Sequence, residues 1–408
     1  MDMQETVSIP NFFQNKKLFI TGGSGFMGKV LIEKILRSCP DVSAIYVLLR
    51  PKKGKKLEER VKEITDVALF DNLRIQRPEN LKKIVPVFGD VSKLNLGLSL
   101  ESTKQLKENI NIVYHAAASV RFDDSLKDAI LMNTRGTREV VLLAKEMKHL
   151  EVLIHISTAY TNTNKQIIEE KLYPPHVDWR EAIILAENIK SKETLDILTQ
   201  KYMNDHPNTY VFTKNMAEHV ISDLCDGQIP AIILRPSIVT SSMTEPIPGW
   251  IDNFNGPVGM LIACGKGIMR TIYGEPDFVL DYVCVDLVIK GLIVATWVKA
   301  VEKDSEEKLR LNVYNGSKYN QVKQSLKNQF DLGKIFSWKY PYNNIVWYPT
   351  WNITKYYPVF LIKVYLYHIL PALLIDMVLK LTGKKTNAIE TSKKNFYSKY
   401  GFIILHDS

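Results

Sequence analysis

The sequence predicts an α/β fold built on an open, doubly wound parallel sheet. Short apolar runs alternate with longer helical patterns over the first part of the chain, and a glycine-rich turn, TGGSGFMG, joins the first run to the first helix. The runs are rich in Val, Ile and Leu without strict alternation, which is typical of strands that are covered on both faces. This βαβα order favours parallel strands with helices on both sides of the sheet.

Six runs are long and apolar enough to be buried strands. They are Leu18–Thr21, Ala44–Leu49, Ile84–Phe88, Ile112–His115, Val152–Ile156 and Ala231–Leu234. The helical patterns between them are Met27–Arg37, Leu57–Phe70, Thr137–Met147 and Thr213–Leu224. Beyond Ser237 the pattern loosens, and the glycine- and proline-rich stretch Thr244–Gly267 is predicted to be loop-like.

Composition excludes several function classes. The 408 residues carry a formal net charge of +9, but the lysines are scattered and no zinc finger, RNA-binding signature or basic recognition helix is evident, so we expect no nucleic-acid partner. The four cysteines form no CxxC pair and none has ligand spacing with histidine, which predicts no metal site, no disulfide framework and a reducing compartment. The segment MDMQETVSIPNFFQNKK lacks the features of a secretory signal.

The glycine turn predicts a dinucleotide site. After a strand and before a helix, glycines allow a tight turn, a close approach to a pyrophosphate and close packing of the helix on the strand. The free N–H groups at the start of the helix then favour phosphate binding. A purely structural turn is the alternative. The residues of this turn predicted to contact the cofactor are Thr21, Gly22, Ser24, Gly25, Phe26 and Gly28.

The ends of the next strands refine the cofactor prediction. The second run ends at Arg50, where an acidic residue would be expected to hold a ribose 2′-hydroxyl. An arginine can instead bind a 2′-phosphate, so the sequence favours NADPH over NADH. The lysines that follow, at positions 52, 53, 55 and 56, either add long-range attraction or form a solvated loop. Further cofactor contacts are predicted at Asp90, Val91, Ala116, Ala117 and Ala118.

A catalytic pair is predicted in the stretch YVFTK. Tyr210 and Lys214 are four residues apart at the start of a helical pattern, which places them on one face. A phenol has a pKa near 10, and we expect the neighbouring ammonium to lower the pKa of Tyr210. The fifth strand ends in HISTAY and brings hydroxyls to the same edge of the sheet. Thr158 is the preferred donor to a substrate carbonyl oxygen, with Ser157 as the alternate.

These motifs together resemble one superfamily. The elements TGxxGxxG, HAAA, NxxGT, STAY, YxxxK and LRPS resemble the extended short-chain dehydrogenase/reductases, with a Rossmann-type sheet. The stretches HAAASVRFDDSLKDAILMNTRGTREVV and RPSIVTSSMTEPIPGWIDNFNGPVGMLIACGKGIMR resemble the fatty acyl-CoA reductases of its insect-like branch. The resemblance covers roughly residues 10–350.

The resemblance implies a reaction and further site residues. Tyr210, Lys214 and Thr158 match the catalytic set, and the glycines and Arg50 match NADPH contacts. The stretch beside the nicotinamide matches Arg235, Pro236, Ser237 and Val239. The implied activity is reduction of a long-chain acyl-CoA by NADPH to a primary alcohol through an aldehyde. Apolar residues of 246–267 either wall an acyl tunnel or form the small core of a substrate lobe.

The resemblance also implies the domain organisation. We expect an NADP-binding domain with an interleaved substrate lobe over residues 1–348, followed by a shortened helical region over 349–408. The apolar segment Val359–Leu381 suits a bilayer span in length, although Lys363 and Asp376 interrupt it. A membrane-inserted or kinked segment, an interfacial helix and a buried helix are the three interpretations. A membrane-associated, cytosol-facing protein at peroxisomes or endoplasmic reticulum is expected.

Two other functions fit part of the pattern. One is a hydroxysteroid or other alcohol dehydrogenase of the same superfamily, against which the segment after Ser237 argues. The other is a membrane-anchored nucleotide-binding scaffold that has lost turnover, against which the intact set of Tyr210, Lys214 and Thr158 argues.

Overall fold

The computed structural model describes residues 7–52, 54–203, 206–303, 305–318 and 323–382. A seven-stranded sheet dominates it, with strand order β11-β6-β5-β4-β1-β2-β3. Every neighbouring pair in this sheet is parallel. The strands are β1 (Lys17–Thr21), β2 (Ala44–Leu49), β3 (Ile84–Phe88), β4 (Ile112–His115), β5 (Val152–Ile156), β6 (Ala231–Pro236) and β11 (Asn312–Gly316). The predicted doubly wound parallel sheet is therefore confirmed.

The register brings the carboxyl ends of the central strands to one edge. Thr21, the last residue of β1, lies opposite Leu48 of β2 and His115 of β4. Ile156, the last residue of β5, lies opposite Leu234 of β6. Ligands of open α/β sheets bind at this edge, and the residues that follow β1, β4, β5 and β6 in the chain begin there.

Apolar residues cover both faces of the sheet. Leu18 and Ile20 of β1 belong to one buried cluster, and Phe19 between them belongs to the other. The first cluster contains buried side chains of the helices Phe26–Ser38 and Val285–Val301, and the second those of the helix Gly136–Lys145. This arrangement explains the continuous apolar runs, because no face of a central strand is left to solvent.

Sixteen α-helices are found in the described residues. They are α1 (Ile9–Phe13), α2 (Phe26–Ser38), α3 (Leu57–Thr65), α4 (Asp71–Gln76), α5 (Leu100–Asn109), α6 (Leu126–Ala129), α7 (Gly136–Lys145), α8 (Trp179–Asn188), α9 (Lys192–Met203), α10 (Thr209–Cys225), α11 (Pro257–Gly265), α12 (Val285–Val301), α13 (Ser305–Leu309), α14 (Leu326–Lys339), α15 (Tyr357–Val364) and α16 (Leu370–Leu381). A π-helical turn joins α6 to α7, and another joins α15 to α16.

Several elements of the structure were not predicted, among them the helices α5, α8, α9 and α14. The strand β11 was not predicted, because NVYNG is short and polar and pairs with β6 only across a long sequence separation. The helix α12 was not predicted either, since its sequence is apolar nearly all round and shows little helical periodicity. The predicted loop-like stretch Thr244–Gly267 contains the helix α11, which begins at Pro257. Proline is favoured in the first turn of a helix.

The chain divides into two compact units. One comprises Met1–Ile251 and Tyr282–Ser317, and the other Asp252–Asp281 and Lys318–Ser408. The first unit holds the seven-stranded sheet and a small parallel pair, β7 (Ile238–Thr240) with β10 (Tyr282–Cys284). The predicted division between residues 348 and 349 remains a prediction, and residues 383–408 of its C-terminal region lie outside the described residues.

The second unit has its own small core. Two strand pairs belong to it: β8 (Thr271–Tyr273) with β13 (Asn352–Thr354), and β9 (Val279–Leu280) with β12 (Gln324–Ser325). Its buried cluster includes Met260, Cys264, Phe330 and Trp351. Met260 and Leu261 of the stretch for which a tunnel or a small core was expected thus belong to a packed cluster.

Candidate active site

The glycine turn brings the backbone of β1 close to that of β4. Gly22 follows β1 with φ 76°, a conformation that residues with a Cβ rarely adopt. A Cβ on Gly22 would lie 2.6 Å from the backbone nitrogen of Ala117. A Cβ on Gly28 would overlap the carbonyl oxygen of Gly22, so glycine there lets α2 pack against the turn. Both glycines are therefore required by close backbone approach.

The start of α2 fits a pyrophosphate. Gly25 is its N-cap and supplies no side-chain hydrogen bond to the first N–H groups. Ser24 and Gly25 are exposed, while Phe26 is half-buried and stacks on Trp250 with ring centroids 5.6 Å apart. A thirteen-residue helix with an open, accessible N-terminus suits an anionic ligand. The residues present thus fit a dinucleotide at this position.

The other predicted cofactor residues at the strand ends differ in how exposed they are. Arg50 is exposed at the end of β2 and makes no ion pair with any residue that the structure describes. Asp90 is half-buried, and its Oδ1 accepts hydrogen bonds from the backbone N–H and the hydroxyl of Ser92. Val91 is buried against Gly136, which identifies it as a packing residue. Ala116 and Ala118 are half-buried, and Ala117 is buried.

Thr21 has a supporting position. Its side chain is buried, and its Oγ1 lies 2.7 Å from Nδ1 of His115. It also accepts a hydrogen bond from the backbone N–H of Ala117 at 3.3 Å. Nε2 of His115 lies 3.0 Å from the hydroxyl of Thr137. Thr21 therefore fixes the end of β1 to the end of β4, while its side chain is withdrawn from the surface.

The helix α10 positions the predicted catalytic pair. It begins at Thr209 because the side chain of Asn208 accepts a hydrogen bond from the N–H of Val211 at 2.9 Å. Tyr210 is half-buried, the centroid of its ring lies 5.9 Å from that of Phe122, and the side chain of Thr158 is near enough to the phenol to influence its pKa. The structure thus brings together the phenol and the preferred hydroxyl of the β5 edge.

The electrostatics of the pair differ from the prediction. Burial raises the pKa of Tyr210 to about 12, and the side chain of Thr158 opposes this rise. Burial also lowers the pKa of Lys214 to about 8. The Lys214 Nζ donates to the carbonyl oxygen of Ile156 at 2.5 Å and lies 3.4 Å from Nε2 of His155. The expectation that this ammonium lowers the phenol pKa is therefore wrong, because burial dominates the pKa of Tyr210.

The side chain of Ser157 is bound to a buried ion pair. Its hydroxyl donates to Oε1 of Glu218 at 2.5 Å. Arg235 is fully buried and binds the same carboxylate through Nε at 2.9 Å and Nη2 at 2.7 Å. The guanidinium of Arg235 is thus engaged inside the protein, which leaves only its backbone for the predicted cofactor contact. The sequence analysis missed Glu218, although its position four residues after Lys214 was visible.

The end of β6 carries an unusual polar atom. Ser237 is buried, and its Oγ has no hydrogen-bond partner among the described residues. Pro236 before it is buried, and Val239 in β7 is half-buried. A buried hydroxyl without a partner is costly, and a bound ligand would satisfy it. This atom is a second observation that fits a ligand at the strand ends. Among the residues that the structure describes, no group of His, Cys, Asp and Glu could hold a metal ion.

Comparison with known proteins decides the family. The family model described as "Male sterility protein", an NAD-binding family, matches residues 20–292. The chain is 40% identical over 397 residues to "Fatty acyl-CoA reductase 1" of Rattus norvegicus, covering 94% of this chain and 74% of that protein. It is 34% identical over 393 residues to "Fatty acyl-CoA reductase wat" of Drosophila melanogaster, covering 96% of this chain and 75% of that protein. The chain belongs to the fatty acyl-CoA reductase family.

Solved structures support the fold. The reductase domain of a non-ribosomal peptide synthetase from Mycobacterium tuberculosis superposes with a TM-score of 0.58 and 17% identity, covering 86% of this chain and 75% of that chain. The terminal reductase domain of the myxalamid pathway gives a TM-score of 0.56 and 22% identity, with coverages of 84% and 72%.

Proposed function

We propose that this reductase converts a long-chain fatty acyl-CoA into a fatty alcohol with NADPH, through an aldehyde and with release of CoA. The observation that supports this best is that Tyr210, Lys214 and Thr158 come together at the end of β5, at the same sheet edge as the open glycine turn: Lys214 binds the Ile156 carbonyl oxygen, and the Thr158 side chain influences the pKa of the Tyr210 phenol. The names of the relatives suggest the substrate class, and the side chains at this edge could carry out the reduction.

The cofactor preference rests on Arg50. Its exposed guanidinium, free of ion pairs with described residues, can take a bidentate hold on a 2′-phosphate. A 2′-hydroxyl, which NADH carries at that place, offers no charge to it. The glycine turn and the start of α2 would bind the pyrophosphate, and Ser237 with the backbone beside it would line the nicotinamide end.

The chemistry divides between cofactor and protein. Bound NADPH supplies the hydride in each of two reductions, so one acyl-CoA consumes two NADPH and two protons and yields one alcohol and one CoA. Thr158 and Tyr210 would donate hydrogen bonds to the substrate carbonyl oxygen, where negative charge develops. With its pKa raised to about 12, the Tyr210 phenol carries its proton at neutral pH and can donate a hydrogen bond to the carbonyl oxygen; full transfer of that proton requires the substrate oxygen to become the stronger base as negative charge develops on it.

Membrane association is part of the same proposal. The helix Tyr357–Leu381 is 25 residues long, with a mean hydropathy of 1.8 over its most apolar part and only 11% of that part buried. Its buried residues are Val364, Ala372 and Asp376, which share one face at a spacing of eight and four. Asp376 is only 6% exposed, so the residue that was hardest to place in lipid is withdrawn from the surface.

This arrangement favours a helix that lies in one leaflet over one that spans the bilayer. Its buried face, which carries Asp376, would lie against protein, while Leu374, Val378 and their exposed neighbours enter the acyl chains. The π-helical turn Tyr365–Ile369 adds a residue to one turn and so keeps a stripe of spacing four in line along the helix. A long-chain substrate partitions into lipid, so attachment to a membrane would bring the protein to the phase that holds this substrate.

The activity test uses the full-length protein with NADPH and acyl-CoAs of graded chain length. We expect loss of NADPH absorbance with release of free thiol and formation of the matching fatty alcohol, identified by mass spectrometry. Reduction of simple ketones or steroid ketones by NADPH, with no reduction of acyl-CoA, would overturn the proposal.

The membrane test uses flotation with liposomes that contain anionic lipid. The double change Leu374→Glu and Val378→Glu is expected to abolish flotation, because charges would then enter the apolar face. The matched control is Ile75→Glu in α4, an apolar side chain that is 81% exposed on the other unit. Equal flotation of both variants would contradict the assignment. Fractionation of cells would distinguish the peroxisomal from the endoplasmic reticulum membrane.

A further inference from the structure

A buried ion pair lies directly behind the candidate catalytic residues. Glu218 is the third member of a series on α10, with Tyr210 and Lys214 at successive four-residue intervals, so the three side chains share one face of the helix. Glu218 is 1% exposed and its partner Arg235 is 0% exposed. No part of the reaction as proposed above uses either side chain.

The Glu218 carboxylate joins three elements. Its Oε1 accepts from the Ser157 hydroxyl at 2.5 Å and from Arg235 Nε at 2.9 Å, and its Oε2 accepts from Arg235 Nη2 at 2.7 Å. The hydroxyl of Thr161 lies 3.4 Å from Oε1. These contacts tie α10 to the end of β5, to the turn after it and to β6. Ser157 directly precedes Thr158 in the chain, so the hydrogen bond that holds Ser157 also restricts the position of the Thr158 hydroxyl.

Stability alone is a poor reason for such a pair. Removing two charges from water costs several kcal/mol per ion, and well-packed apolar residues often replace a buried pair without loss. A fully desolvated bidentate pair does, however, hold both partners in one geometry. Its position beneath the Ser157–Thr158 edge points to a role in geometry and charge at the site.

The buried amine of Lys214 lies among several titratable side chains. The titratable groups that act on its amine are Glu218 on α10, His155 on β5 and His115 on β4. Burial lowers the pKa of His115 to about 3 and that of His155 well below its ordinary value, so both rings are neutral at pH 7. Burial likewise disfavours the charged lysine, and Glu218 is the carboxylate that opposes this effect. Arg235 is itself engaged by Glu218.

We propose that Glu218, held by Arg235, is a positioning residue of the active site, which orients the β5 edge through Ser157 and keeps the Lys214 amine charged. The orientation of the β5 edge matters only if Thr158 has the role given to it in the proposed function. The effect of Glu218 on the charge of Lys214 concerns dinucleotide binding alone. Ser157 accordingly acts through Glu218 and Thr158 rather than on the substrate.

The test compares Glu218→Gln, Glu218→Asp and Ser157→Ala in the full-length protein. NADPH binding is followed by fluorescence between pH 6 and pH 10, without acyl-CoA, and reduction of acyl-CoA is measured separately. Glu218→Gln removes the charge, so the pH above which NADPH affinity falls is expected to move down by about one unit, the low end of the range for a nearby opposite charge. Glu218→Asp restores the charge and returns this limb towards that of the wild type.

Ser157→Ala leaves the ion pair intact and separates the two roles. It is expected to lower kcat about tenfold with an unchanged pH limb and unchanged NADPH affinity. A folded Glu218→Gln protein with the wild-type limb would overturn the proposal. If that variant does not fold, wild-type kcat in both Glu218→Asp and Ser157→Ala would overturn it instead. A wild-type protein that binds NADPH but reduces no acyl-CoA would refute the proposed function. The change in the pH dependence of NADPH affinity in Glu218→Gln could still be measured in that case.

Discussion

Substitution of Gly22 tests the geometry on which the dinucleotide site depends. In Gly22→Ala, the new Cβ must adopt φ 76° and would lie 2.6 Å from the Ala117 nitrogen and 2.7 Å from the Ala116 carbonyl carbon. The left-handed conformation costs about 1–2 kcal/mol. Overpacking against backbone, which cannot rotate away, costs about 1–3 kcal/mol. We therefore expect a loss of unfolding free energy of about 2–5 kcal/mol in total.

The chain offers a control for each cost. Gly227 has φ 69° with no atom within 4 Å of a built Cβ, so Gly227→Ala carries the conformational cost alone, about 1–2 kcal/mol. Gly28→Ala carries the overlap with the Gly22 carbonyl oxygen without a positive φ. The gain from a stiffer unfolded chain is common to all three and cancels in the comparison.

Urea unfolding gives the stabilities, and NADPH titration gives the consequence for binding. Gly22→Ala and Gly28→Ala are expected to weaken NADPH binding at least tenfold, because the first would push the β1 turn away from the β4 edge and the second would push the start of α2 away from that turn. Gly227→Ala is expected to bind as the wild type does. If Gly22→Ala were no less stable than Gly227→Ala, the close approach of the two backbones would be refuted.

Three further perturbations test other parts of the site. Arg50→Ala is expected to raise the Kd for NADPH at least tenfold and that for NADH little, since a charged hydrogen bond contributes about 1.5–3 kcal/mol; the exposed neighbour Lys52→Ala is the control, and equal losses for both cofactors would remove the 2′-phosphate argument. Thr158→Val is expected to lower kcat about 10²-fold, as for loss of one donor to a developing oxyanion, and more than Ser157→Ala does; the reverse order would make Ser157 the catalytic hydroxyl. Glu245 is expected to make the free energy of unfolding depend on pH in the acid range. Burial raises its pKa, but hydrogen bonds from Lys290 and Lys34 outweigh burial and lower the pKa to about 2. Its contribution to stability is thus present above the ordinary carboxyl pKa and is lost as pH falls from about 5 to about 2, so Glu245→Gln should destabilise the protein at pH 7 and match the wild type near pH 2 in thermal unfolding.

The parts of the fold that the sequence predicts are those set by local pattern. Six strands and the glycine turn were visible, because apolar runs and glycine spacing depend on neighbours in the chain. The strand Asn312–Gly316 was not visible, since its pairing with β6 is made across about 80 intervening residues. The helix Val285–Val301 escaped for a related reason: an element that is apolar nearly all round shows no periodic signal.

The site shows the same division. The spacing of Tyr210 and Lys214 places them on one helix face, but it does not reveal that the lysine amine binds the Ile156 carbonyl oxygen. Arg235 and Glu218 come from different elements, so their ion pair could not be read from a motif that contains only one of them. Burial decides their chemistry, as it does for the raised pKa of Tyr210. The predicted roles of Thr158, Tyr210 and Arg50 remain predictions.

The central claim is that the Tyr210 hydroxyl acts on the substrate beside a bound reduced dinucleotide. Tyr210→Phe removes only that oxygen, and Tyr46→Phe on β2, whose hydroxyl is 3.5 Å from the Gln105 amide, is the matched control. NADPH oxidation with a long-chain acyl-CoA is measured for both, together with NADPH affinity. We predict a loss of turnover of at least 10²-fold in Tyr210→Phe, with NADPH affinity and the control unchanged. Wild-type turnover in Tyr210→Phe would contradict the account.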